Sequence, residues 1–142
     1  MSSRTKAVPR LRAAIKFVSP ANKDRPRSCL TFASKCVGYL ERGVNVVILD
    51  TVTGRRANIH TEIAQALETT DSLAWDSPTH LYAVAYRTVT QAGQTQVEVW
   101  PEALAVGVEM PTLPLWIQAD LFLPLPLEAS YTAACRALRI AG

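Results

Sequence analysis

The chain has 142 residues, 49% of them hydrophobic, with fifteen Lys and Arg against twelve Asp and Glu. That size suits one ordinary core, and a second domain is not expected. No segment approaches the roughly 18 continuous apolar residues of a membrane span, and the basic N-terminus lacks the apolar centre of a secretory signal, so a cytoplasmic protein is expected.

Residues 1–10 are polar, basic and broken by Pro9, which reads as a loose lead-in to a single α/β domain over 11–142. Residues 11–18 alternate, with Ile15 and Phe17 on one side and Ala14, Lys16 and Val18 on the other, predicting a strand. Pro20, Asn22, Asp24 and Pro26 make residues 19–27 a structured loop. Ser28 can cap a helix running to Arg42 with Gly43 as its stop, and Cys29, Ala33, Cys36, Val37 and Leu40 share the face that should meet a sheet. Lys35 and Tyr39 lie one turn apart, away from that face. Residues 45–50, rich in Val and Ile, predict a parallel strand covered on both sides and complete a βαβ unit.

After a Thr53-Gly54 turn, residues 58–67 carry Ile59, Ile63, Ala66 and Leu67 at helical spacing. Residues 68–79 read as a loop anchored by Trp75. Residues 81–90 and 95–100, joined around Gly93, predict an antiparallel hairpin. Pro111, Pro114, Pro124 and Pro126 exclude a helix or central strand over 110–126 and predict an extended arm laid on the hydrophobic surface. Residues 128–140 predict a C-terminal amphipathic helix with Tyr131, Ala134, Cys135 and Leu138 inward.

Three cysteines without CxxC spacing suggest neither a disulfide framework nor zinc, and His60 and His80 lack a helical ligand motif. No metal ligand and no cofactor is therefore assigned from these residues. Residues 1–60 hold twelve Lys and Arg against three acids, whereas 61–142 hold three against nine. This polarity permits a nucleic-acid-facing basic side, and equally permits the halves to neutralise each other across the fold.

The segment VSPANKDRP, the spacing of Lys35, Tyr39, Gly43 and Val44, the strand ending at Asp50, and the ending PTLPLWIQADLFLPLPLEASY together resemble an uncharacterised bacterial family, domain of unknown function 4058. The first block is more distantly similar to bacterial putative restriction endonucleases of the PD-(D/E)XK superfamily. That resemblance implies a restriction-endonuclease-like core, in which an Asp and a Glu hold a divalent metal and a lysine assists the attacking water. Carried over, Ser19 and Pro20 match the loop, and Lys35 and Tyr39 match the helix. Lys35 thus becomes the candidate catalytic residue, with Ser19, Asn22, Lys23 and Tyr39 as candidate binding residues.

Lys16 stands where the family pattern has its Glu, and an ammonium has no lone pair to offer Mg²⁺. The superfamily's other acid lies on an upstream strand, and no acidic residue precedes Leu11, so the core is expected to be N-terminally truncated relative to the superfamily. Lys16 could instead snorkel to the sheet end or pair with Asp50. The expectation is a nuclease-like core that has lost its metal site and is non-catalytic. The alternatives are a Mg-dependent nuclease active only in a longer or oligomeric form, and a nucleic-acid or protein interaction module using the basic first half. An edge position for the 11–18 strand would also permit dimerisation.

Overall fold

The computed structural model describes residues 11–52, 58–67, 75, 77–118, 121–129 and 131–133. Strand β1 (Ala13–Phe17) leads through a one-turn helix α1 (Pro20–Lys23) into α2 (Pro26–Glu41) and on to β2 (Asn45–Asp50). β1 and β2 are parallel, with Ile15 opposite Val47 and Lys16 opposite Ile48, so the expected βαβ unit is present. After α3 (Ile59–Ala66), β3 (Tyr82–Gln91) and β4 (Gln94–Ala103) form the expected hairpin, and β3 runs antiparallel to β2. The resulting mixed sheet has the order β1-β2-β3-β4. Strands β5 (Thr112–Gln118) and β6 (Leu121–Pro126) make a separate two-stranded sheet.

All six residues of β2 are buried because both faces of the sheet are covered. The two-residue period of a strand sends Val46 and Ile48 toward α2 and α3, where Cys36, Leu40, Ile63 and Tyr86 meet them. It sends Val47 and Leu49 the other way, against Ala83, Leu113 and Leu127. Asn45 ties the layers: its side-chain amide donates to the Trp116 carbonyl at 2.9 Å and its side-chain oxygen accepts from the Thr88 N–H at 3.0 Å.

The predicted inward face of α2 is correct, for Cys29, Ala33, Cys36, Val37 and Leu40 are all buried. Its start is not. Pro26 opens the helix after an extended Arg25, because a ring with φ preset near the helical value suits the first helical position. Ser28 therefore lies inside the first turn rather than at the cap. At the other end the Val44 N–H donates to the Tyr39 carbonyl and the Gly43 N–H to that of Leu40, and Gly43 at φ 79° supplies the left-handed residue this closure requires.

The loop expected at 19–27 contains α1, whose start is closed by Asn22 accepting from the Ser19 N–H and hydroxyl at 2.8 Å each. Asn58 caps α3 by accepting from the Thr61 N–H at 3.1 Å. Trp75 is the anchor anticipated, with its ring edge-on to His60 and Tyr82. The proline-rich arm is extended and lies on the sheet, but it is a hairpin rather than a single strand. Pro114 and Pro124 face each other across the two-stranded sheet, where few ladder donors are needed.

Helix begins at Leu127 and includes residues 131–133, with Tyr131 packed on the second core cluster. The lead-in at 1–10, the Thr53-Gly54 turn, most of the 68–79 loop, and Ala134, Cys135 and Leu138 lie outside the described residues. Among the described residues no helix is long and apolar enough to cross a membrane.

Candidate functional site

Among the described residues β1 lies at the edge of the four-stranded sheet, and α1 and α2 pass over one side of it. Between them is a groove of about 610 Å³ lined by Lys16 and Phe17 of β1, Asn22 of α1, and Arg27, Thr31 and Lys35 of α2, among others. A second recess of about 900 Å³ shares Lys16, Arg27, Thr31 and Lys35 and extends past Tyr39 to Arg42. Four cations thus follow one track, with Glu41 the acid that lines it. Arg27, Thr31, Lys35 and Tyr39 are spaced by four, which stacks them along one helix face.

The ladder between β1 and β2 decides which backbone groups reach this groove. The Val18 N–H donates to Leu49 and the Arg12 carbonyl accepts from Asn45, so even-numbered residues of β1 direct their backbone groups at β2. Ile15 and Phe17 direct theirs outward, and both line the groove. The first turn of α2 carries no acidic side chain of its own. Lysines, a guanidinium, the Ser28 hydroxyl and outward amides form a donor set suited to phosphate oxygens, while the Thr31 hydroxyl donates to the Arg27 carbonyl at 2.9 Å.

The expected site residues separate into two groups. Asn22 and Lys35 line the groove, Ser19 braces Asn22 at its mouth, and Tyr39 lies in the neighbouring recess. Lys16 Nζ and the Arg42 guanidinium each lie 5.6 Å from the centre of the Tyr39 ring.

Lys23 is not among these lining residues. Its ammonium is 2.8 Å from Asp50 Oδ2, and both side chains are fully buried. Asp50, rather than pairing with Lys16, takes Lys23 and also accepts from the Val52 N–H at 3.0 Å. Beside it the Tyr82 hydroxyl accepts from the Ile59 N–H at 3.0 Å, and His60 Nδ1 meets the Tyr86 hydroxyl at 2.5 Å. Burial and then the Asp50 charge push the Tyr82 hydroxyl's pKa far up, and burial does the same to Tyr86. These groups hold their protons and brace the α3 start.

Compared with known proteins, the chain matches no family model, no curated protein and no solved structure.

A divalent metal does not fit this residue set. Lys16 and Lys35 bring positive charge to the groove, and the buried Asp50 carboxylate is already neutralised by Lys23. Among the described residues, no three His, Cys, Asp or Glu side chains converge to hold an ion. Arg27 and Thr31 are the groove residues missed in the sequence. Their four-residue spacing to Lys35 was the available signal, hidden because the loop was expected to extend through Arg27.

Proposed function

We propose that this chain is a non-catalytic, nuclease-like α/β module that holds the phosphate backbone of a nucleic acid in the groove between β1 and α2. The observation carrying this reading is the convergence of Lys16, Arg27 and Lys35 on one groove. The Lys23–Asp50 and Arg87–Glu98 ion pairs each stay within one half of the chain, so neither draws on those three cations. Lys35 serves here as a phosphate contact, and the resemblance to restriction endonucleases enters as ancestry.

Three phosphate contacts give a slope of log affinity against log salt of about −2.7 on a duplex. The test is fluorescence anisotropy of labelled DNA titrated with the full chain at several salt concentrations. Charge reversal by Lys16→Glu, Arg27→Glu or Lys35→Glu should each weaken binding and flatten the slope by about one unit. Affinity weaker than about 100 μM at low salt, or a slope indifferent to all three changes, overturns the proposal. Mg²⁺-dependent cleavage lost in Lys35→Ala would favour the active nuclease instead.

A further inference from the structure

We propose that the outer edge of β1 takes an extended segment of a partner protein as an added strand, its side chains alternating between acidic and apolar. The inference goes beyond the phosphate reading, since it rests on backbone groups, although it draws on some of the same cations. Among the described residues no strand pairs with β1 on its outer side, so the N–H and C=O groups of Ala13, Ile15 and Phe17 point outward along that edge. The other sheet edges are blunted: β4 carries Glu98, Pro101 and Glu102, β5 carries Pro114, and β6 carries Pro124 and Pro126. β1 has neither proline nor bulge.

The two faces beside this edge differ. Lys16 lies opposite Ile48 on the α2 side, with Nζ 5.6 Å from the centre of the Tyr39 ring, and Arg27 and Lys35 line the groove there. Ile15 and Phe17 lie opposite Val47 and Leu49 on the other side, where each is more than a third exposed and the Phe17 ring meets Tyr131 with centres 6.4 Å apart. The two-residue period of an added strand sends its successive side chains to these two faces in turn. Acidic residues at every second position would then face Lys16 and the groove cations, and the apolar residues between them would cover Ile15 and Phe17. Charge selects among the occupants. A second copy of β1 would bring its own Lys16, Arg27 and Lys35 against the same cations. A phosphate backbone can accept from the outward N–H groups but offers no donor to the outward carbonyls between them.

The test is fluorescence anisotropy of a labelled peptide of alternating valine and glutamate titrated with the full chain, beside its counterpart with lysine for glutamate. The glutamate peptide should bind. N-methylation of alternate amides should weaken it about 10-fold or more in the phase that faces β1 and be tolerated in the phase that faces solvent. Ile15→Pro removes one outward N–H without touching the β2 ladder, and should abolish peptide binding with an unchanged circular dichroism spectrum. Lys16→Glu should exchange the preference, weakening the glutamate peptide about 5-fold or more and strengthening the lysine one. Equal binding of the two peptides, or indifference to the methylation phase, overturns the inference. Binding of the labelled DNA without binding of the peptide overturns this inference alone, and peptide binding without DNA binding overturns the phosphate reading alone. A concentration-dependent dimer in sedimentation velocity, broken by Ile15→Pro, means that a second copy occupies the edge and also overturns the inference.

Discussion

Lys23 Nζ lies 2.8 Å from Asp50 Oδ2, and neither side chain is exposed to solvent. The pair joins α1 to the C-terminal end of β2, fixing the short helix that carries Ser19 and Asn22 to the mouth of the groove. A buried pair recovers its desolvation cost only while both partners remain.

Asp50→Ala and Lys23→Met should therefore each destabilise the fold by about 3–5 kcal/mol in urea denaturation, because each strands one buried charge. Combining Lys23→Met with Asp50→Ala should recover part of that loss. A double variant as unstable as the sum of the singles would show that the two groups act independently.

Stability should fall as the solution becomes alkaline. Burial pushes the Cys36 thiol up from 9.0 to about 12, and the Cys29, Tyr82 and Tyr86 groups are also raised. Above pH 9.0 the unfolded thiol loses its proton while the folded one keeps it, so the folded state binds more protons and is penalised as pH rises. Cys36 alone should contribute a slope of about 1.4 kcal/mol per pH unit between those two values. Urea titrations across that range should show a shallower decline for Cys36→Ala than for the parent, whatever its starting stability.

Two backbone positions should accept stabilising changes. Gly38 lies inside α2, and an added Cβ there meets only Arg42 Nη2 at 3.9 Å, an ordinary contact. Gly38→Ala should raise stability by about 0.5–1 kcal/mol. Ala92 at φ 52° precedes Gly93 at φ 78° in the β3–β4 turn, where two left-handed residues are needed. Ala92→Asn should raise the melting temperature, whereas Ala92→Val should lower it.

Lys16→Glu should reduce DNA affinity without creating a metal site. Asp50 is committed to Lys23, and with Glu41 of the adjoining recess the new carboxylate would still supply too few oxygens to hold an ion tightly. Calorimetric titration with Mn²⁺ should show no binding tighter than about 1 mM in the variant. Tight uptake would mean that a second acid, such as Glu41, completes the site.

The local pattern carried the βαβ unit well. Cys29, Ala33, Cys36, Val37 and Leu40 share a face by spacing alone, and β2 reads as doubly covered from its unbroken apolar run. The start of α2 was misread because Ser28 and Pro26 both favour a helix opening, and only the extended backbone at Arg25 chooses between them. The proline-rich arm announced its extended backbone but not its pairing, since the composition does not specify that Thr112 lies opposite Pro126. The partner of Asp50 was similarly hidden. Lys16 lies in β1 and Lys23 a few residues after it, and strand direction plus the turn of α1 decides which ammonium reaches the carboxylate.

By itself, the amino-acid sequence determined the periodicities: which residues form strands and helices, which faces are apolar, and that the basic charge lies in the first half. These are properties of neighbours within a few residues, set by backbone geometry and side-chain chemistry. Tertiary structure alone decided that Lys23 is buried while Lys16, Arg27 and Lys35 share a groove. Those outcomes depend on β1 lying at the sheet edge and on how α2 crosses it, which bring together side chains that no local spacing can relate.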